Sequence, residues 1–210
     1  ASSAQVNKAL RQATVMANVL AQFIADSANV DVLDDGNTAA ILSNLKNSMP
    51  GRLLGVQVVT SSALITKSAG AKKWRIRALG AGAGSSAAPA TDAGQVSISN
   101  GGGAGAYAEG IYDVSALSSA TVTIGSGGVG GTAISPYGGD GGTTSVGTLI
   151  SAPGGKAGLP AGPAIPPFQP VANTNSNSPT GWNIIGTSGS GSEAAVAVST
   201  SYAAGSRGAN

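Results

Sequence analysis

Glycine is distributed very unevenly along this chain, and that distribution constrains the fold more than any other feature. Of the 33 glycines, 29 lie after residue 79 and only four before it. Many form tight runs, such as those at residues 101–105 and 138–142. Glycine loses more conformational entropy on ordering than any other residue. The second part of the chain is therefore either disordered or built from positions where no side chain fits.

Composition argues against disorder and removes several kinds of site. Charged residues make up 10% of the chain, against about 25% in an average domain, and disordered segments are usually rich in charge. The sequence contains no cysteine and no histidine. Disulfides, thiol nucleophiles, Cys/His zinc sites, histidine bases and Ser-His triads are therefore excluded. We expect no metal site and no cofactor.

Close backbone packing is the remaining use for so many glycines. An extended segment with three residues per turn and no side chains can lie directly beside similar segments. Each backbone N–H and C=O can then bond to a neighbouring segment, which satisfies groups that burial would otherwise leave unpaired. A flexible linker stays an alternative for any single cluster. Residues 125–130 also match GxGxxG, but the run containing Pro136 cannot form the helix that a dinucleotide site needs.

Two helices are predicted in the first fifty residues. Apolar residues within 4–25 recur at alternating spacings of four and three, a heptad pattern of about two and a half repeats. Its broad apolar face suits three or more packed helices; an amphipathic helix packed on its own domain is the alternative. Asn37 is a plausible N-cap for a second helix over 38–48. The heptad positions are Val6, Leu10, Ala13, Ala17, Leu20 and Ile24.

Short strands are predicted through the rest of the chain, because β-branched and apolar runs alternate with glycine and serine turns. Residues 160–179 hold six of the ten prolines and are expected to form an extended loop. Apolar islands follow at 182–185 and 194–198. The predicted strands are residues 54–60, 63–66, 74–79, 95–99, 107–114 and 121–124, with a weaker one at 143–150.

Charge is also uneven. Residues 1–79 carry nine Lys/Arg and four Asp/Glu, whereas residues 80–210 carry two and five. The basic run at 72–77 could indicate nucleic-acid binding. Its arginines alternate with apolar residues, however, which is typical of a half-buried strand with one solvated face, so we predict no nucleic-acid partner. No apolar run approaches the roughly 20 residues of a membrane span, and no membrane insertion is expected.

Five runs stand out in order: Gly101-Gly102-Gly103-Ala104-Gly105-Ala106-Tyr107-Ala108-Glu109, Ile111-Tyr112-Asp113-Val114, and those at 121–131, 141–147 and 151–155. Together they resemble the glycine-rich distal domain of phage and prophage tail fibres. The lead-in at residues 57–60 and 74–84 resembles the entry strands of that family, and residues 4–12 resemble its helical stalk. Two features depart from the pattern: the 160–179 segment has no clear counterpart, and residues 201–210 lack the usual final glycine cluster.

The resemblance implies a fold of class α+β, mostly β or irregular. It implies a trimeric helical stalk over residues 1–50, a short β-strand collar over 51–79 and a glycine-rich tip over 80–210. Packed polyglycine-II-type helices and short strands would form the tip, similar to the tip adhesins of T-even-type phages.

The resemblance also implies a virion tail fibre tip that attaches the phage to a bacterial receptor through loops on a rigid scaffold. The expected partners are further copies in a homotrimer, the remainder of the fibre or baseplate, and a bacterial outer-membrane protein or surface glycan. Aromatic side chains give large contact area at low entropic cost. The receptor-contact candidates are therefore the loop aromatics Tyr137, Phe168, Trp182 and Tyr202, of which Trp182 is expected to be the most buried.

Two other functions are weighed. A structural fibre segment or attachment collar, without receptor contact, is the main alternative. A polysaccharide-cleaving tailspike would need a carboxylate pair in a groove, and Glu109 is expected instead to be a structural hydrogen-bond acceptor within a Tyr-Ala-Glu motif, so no enzyme activity is predicted. The carboxylates after residue 80 are Asp92, Glu109, Asp113, Asp140 and Glu193.

Overall fold

A computed structural model describes residues 2–33, 35–49, 51, 53–173 and 177–209. The chain divides into two compact units, residues 1–56 and 57–210. The smaller unit contains the helices of the described residues, and the larger unit contains their strands.

The smaller unit confirms the two predicted helices, α1 (Ser3–Ala28) and α2 (Thr38–Asn47). Ser2 begins α1 with a capping box: its hydroxyl accepts from the Gln5 N–H, and the Gln5 side chain accepts from the Ser2 N–H. Helix α1 ends at Asn29, whose φ of 51° lies in the left-handed region. No helix among the described residues is both long and apolar enough to cross a membrane.

The predicted fold class is wrong. The chain is mostly β-sheet with two helices, and the described residues contain neither a long helical stalk nor a coiled coil. The left-handed cap at Asn29 ends α1, and α2 then contacts α1 within the same small unit. Of the heptad positions only Ile24 is buried. The heptad pattern therefore marks a single helix that ends at Asn29 and contacts α2, not a rod or a coiled coil.

The larger unit is built from small antiparallel sheets, with strand orders β1-β5-β6-β7, β2-β4-β9, β3-β8 and β10-β11. The strands are β1 (Ala63–Thr66), β2 (Lys73–Leu79), β3 (Val96–Ile98), β4 (Tyr107–Asp113), β5 (Ser119–Thr123), β6 (Thr144–Val146), β7 (Ile150–Ala152), β8 (Ala161–Ala164), β9 (Ile185–Thr187), β10 (Val196–Ser199) and β11 (Tyr202–Ala204).

Most predicted strands are confirmed to within two residues, but three expectations fail. Residues 54–60 form no strand. The weak strand at 143–150 is instead the hairpin of β6 and β7, which turns at Gly147 with a φ of 48°. The predicted loop at 160–179 contains β8, and its residues 174–176 lie outside the described part. Strands β1 and β2, which lie in the range predicted as a collar, join different sheets made with strands of the glycine-rich part.

Two apolar clusters hold the sheets together. The larger one joins Ala78 and Ala108 of the β2-β4-β9 sheet to buried residues of the β1-β5-β6-β7 sheet, and Trp74 and Ile76 pack against it. The smaller one joins Ile98, on β3, to alanines of β8 and β10 and of the residues just before β10. Both clusters are rich in alanine and valine, which suits an aromatic-poor chain.

Five extended glycine-rich segments form a bundle through their backbones. They are segment I (80–87), segment II (100–106), segment III (125–131), segment IV (136–142) and segment V (153–158). Segment I lies at the centre, because it hydrogen-bonds to each of the other four. The bundle therefore uses main-chain contacts where an ordinary domain uses side chains.

The hydrogen bonds of segment I recur every third residue. Three of its N–H groups donate to segment II, and the residue after each of these donates to segment IV. A repeat of three is the period of an extended helix with three residues per turn. The predicted side-by-side packing of glycine segments is confirmed by these bonds. The donors are Gly80, Ala83 and Ser86 toward segment II, and Ala81, Gly84 and Ala87 toward segment IV.

At only some positions in the bundle is glycine required because a side chain would overlap neighbouring atoms. A Cβ at Gly84 would overlap the Val129 carbonyl of segment III, so no larger residue fits there. At Gly82 and Gly127, in contrast, a Cβ would meet no atom within 4 Å. The glycine clusters therefore mix positions that backbone contact demands with positions that face open space.

We predict that Gly84→Ala destabilises the chain by about 1–3 kcal/mol, because the new methyl group forces segments I and III apart. Gly127→Ala is the matched control, and its free energy of unfolding should change by about 0.5 kcal/mol or less. Chemical denaturation of both variants measures the difference. Equal effects of the two substitutions would contradict the close contact at Gly84.

Candidate functional site

One end of the glycine bundle, called the loop end here, presents the loops. Segments I, III and V finish there, and segments II and IV begin there. Residues 88–95 and 132–135 leave the bundle at this end, β3 leads into segment II, and β8 follows segment V. Side chains on these connections are therefore held by a backbone scaffold.

Tyr137 lies at the loop end and is 63% exposed. The short loop before it is fixed on both sides, because Gly131 donates a backbone hydrogen bond to segment I and Pro136 accepts one from it. Ile134, at the tip of this loop, is 98% exposed. Ile134 was not among the sequence candidates, which were all aromatic. A large aliphatic residue in a short loop between two glycine segments was the available signal.

Strand pairing places Phe168 and Tyr202 on the same small sheet region. Ala197 of β10 bridges to Phe168 on one side and pairs with Ala203 of β11 on the other. Phe168 is half-buried and packs against the smaller apolar cluster. Tyr202 is 63% exposed. Of this pair, Tyr202 is the side chain available for contact.

Trp182 lies away from the loop end, just before β9. Its indole covers Gly186, where an added Cβ would overlap the ring. The side chain is 47% exposed, so Phe168 and not Trp182 is the most buried of the four candidates. The structure therefore does not gather the four aromatics into one site.

Glu109 lies at the centre of a polar cluster with two arginines and a tyrosine. It sits on β4 opposite Arg77 of β2, and its Oε1 lies 2.6 Å from Arg75 Nη2 and 3.3 Å from Arg77 Nε. Tyr107 donates its hydroxyl to Oε2 at 2.7 Å. The Glu109 side chain is only 8% exposed. Its expected role as a structural hydrogen-bond acceptor is confirmed.

These contacts shift the acidity of the cluster. The hydrogen bond from Tyr107, followed by that from Arg75, lowers the pKa of Glu109 from 4.5 to about 2. The same bond to Glu109 raises the pKa of the Tyr107 hydroxyl. Glu109 is thus ionised and fully engaged at neutral pH, which suits a link between β2 and β4 rather than a proton donor.

Two other carboxylates also hold the backbone. Asp140 forms an ion pair with Lys156 at 2.7 Å and accepts from the Ala157 N–H, and Lys156 and that N–H together lower its pKa. This pair ties segment IV to segment V. Asp113 accepts from the Ser115 N–H at 2.8 Å in the turn after β4. Among the described residues, no cluster of acidic side chains forms a metal-binding group.

Comparison with known proteins identifies a family for the glycine-rich part of the chain. A family model described as a glycine-rich domain matches residues 58–210. This match covers well over half of the chain, so the chain belongs to that family. No curated protein matches the chain.

We predict an acid-sensitive contribution of Glu109 to stability. Because its folded-state pKa is lowered, the stabilisation is fully present above pH 4.5 and is lost as the pH falls toward 2. Glu109→Gln should lower the melting temperature at pH 7. Between pH 5 and pH 2 the melting temperature of this variant should decrease less than that of the unsubstituted chain. Asp92→Asn, whose side chain makes no ion pair among the described residues, is the control. An unchanged pH profile in Glu109→Gln would contradict this account.

Proposed function

We propose that this member of the glycine-rich domain family is the receptor-binding tip of a phage tail fibre, located on the virion. The proposal is supported by the resemblance of its glycine runs to such tips and by the loop end of the bundle. There, exposed apolar and aromatic side chains stand on a scaffold held by backbone bonds. Binding residues are commonly placed on loops of a rigid scaffold.

The observation that carries the proposal is the loop that presents Ile134 and Tyr137. A side chain that is 98% exposed and apolar gains nothing from the fold of its own chain. Both ends of the loop are bonded to segment I, so little entropy remains to be lost on contact. We assign receptor contact to Ile134 and Tyr137, with Tyr202 as a further contact residue.

The proposed partners are two further copies of the chain in a homotrimer, the remainder of the fibre or baseplate, and a receptor on the bacterial surface. The receptor is an outer-membrane protein or a surface glycan. Three copies would multiply weak individual contacts into avidity. Apolar side chains exposed along α1, including Leu10, Met16 and Phe23, are compatible with association of copies.

The double variant Ile134→Ala/Tyr137→Ala tests the attachment. We expect the labelled chain to bind at least one strain of a bacterial panel, and the variant to bind that strain at least tenfold more weakly, as loss of a central contact pair costs about 2 kcal/mol or more. Flow cytometry of labelled cells measures binding. Periodate or protease treatment of the cells then distinguishes a glycan receptor from a protein receptor.

Leu64→Ala is the matched control, because Leu64 is a large exposed residue on β1, outside the loop end. It should bind as the unsubstituted chain does. If the double variant also binds normally, the loop end is not the contact surface. If no strain binds the chain at all, the structural alternative, a fibre segment or collar without receptor contact, is favoured.

A further inference from the structure

The glycine bundle is open along one line. Segments II, V, IV and III follow one another around segment I, and each is hydrogen-bonded to the next. Among the described residues, no backbone hydrogen bond joins segment III back to segment II. The ring around segment I is therefore incomplete between those two segments.

Each of segments I and II has one row of N–H groups that finds no acceptor in the described residues. In segment I these are Gly82 and Ser85, and in segment II they are Gly102 and Gly105. The members of each pair are three residues apart, so on a helix with three residues per turn they point the same way. All four residues line one open groove of about 640 Å³. The groove therefore offers hydrogen-bond donors at a fixed repeat.

A buried side chain beside the groove is also incompletely paired. Asn100 lines the groove and is 2% exposed. Its Nδ2 donates to the Leu159 carbonyl and its backbone N–H donates to Ser86 Oγ, but its Oδ1 has no donor. A buried acceptor without a partner costs about 1–3 kcal/mol. Asn100 therefore leaves one buried acceptor unpaired in a residue beside the groove.

The chain itself shows what kind of segment fits this wall. Ser206 Oγ accepts from the Gly101 N–H at 2.9 Å, and the Ala209 N–H donates to the Gly102 carbonyl at 3.1 Å. A Cβ at Gly101 would overlap the backbone of Gly208. An extended, glycine-containing piece of this chain therefore already lies against one edge of the groove, backbone to backbone.

We propose that the groove binds an extended glycine-rich segment of a second copy of this chain. Such a segment presents a carbonyl toward the groove at every third residue, which matches the spacing of the two donor rows. Its glycines carry no side chain, so its backbone can approach the backbone of segments I and II closely. The contact is comparable to β-augmentation, in which an extended segment adds to an open sheet edge. Here the segment would add to the open side of a bundle with a three-residue repeat. This proposal rests on the self-association proposed above, but not on receptor attachment.

Gly82→Val tests the proposal, and Gly127→Val is the matched control. A Cβ meets open space at both positions, but only Gly82 lines the groove. Thermal unfolding should show that both variants fold. Light scattering after gel filtration, over a range of concentrations, should show self-association of the unsubstituted chain and of Gly127→Val, with a dissociation constant at least tenfold higher for Gly82→Val.

Three results would overturn the proposal in distinguishable ways. If Gly82→Val self-associates as strongly as the unsubstituted chain, copies associate through another surface. If the unsubstituted chain is monomeric at every concentration, self-association itself fails, while the binding to cells is tested separately. If it is monomeric but binds a synthetic peptide of repeated Gly-Ala-Gly that Gly82→Val does not bind, the occupant comes from another protein and not from a second copy.

Discussion

Direct backbone contact around segment I is the interaction on which the rest of the larger unit depends. A main chain can be bonded on all sides only if its neighbours come within hydrogen-bond distance in several directions. In an extended helix with three residues per turn, the backbone N–H and C=O groups face three directions around the axis. In a β-strand they face only two. The contact at Gly84 shows the cost of this arrangement, since a single methyl group there would meet a carbonyl. At such contact positions glycine is therefore demanded by the packing and is not a sign of flexibility.

The two ends of the bundle follow from this arrangement. At one end, β2 leads into segment I and segment II leads into β4. Alanine-rich packing and the Glu109 cluster fix these two strands. At the other end, the chain must turn between segments, and its short connections carry side chains that have no place inside the bundle. Ile134 and Tyr137 are exposed there because the interior has no room for them. The same lack of side chains that makes the scaffold compact thus concentrates large exposed side chains on the loops.

Much of this could be predicted from the sequence, for identifiable reasons. Low charge and interleaved β-branched runs correctly indicated packed glycine segments. The alternation of apolar and basic residues at 74–79 correctly located β2. The fold class could not be derived, because the heptad pattern ending at Ile24 describes one apolar face and does not say what covers it. Trp182 was expected to be the most buried candidate, but it covers a glycine at the edge of a sheet. Gly82 and Gly84 are identical in sequence, and only the positions of their neighbours distinguish an open site from a closed one.

Amide hydrogen exchange along segment I, followed residue by residue by NMR, tests the packed bundle most directly. Ala81, Ala83, Gly84, Ser86 and Ala87 donate to neighbouring segments, whereas Gly82 and Ser85 do not. The account predicts slow exchange interrupted by fast exchange at every third residue. Uniformly fast exchange would mean a flexible linker, and protection at alternate residues would mean a β-strand. Either result would contradict the three-residue packing from which the scaffold, the groove and the loop end are derived.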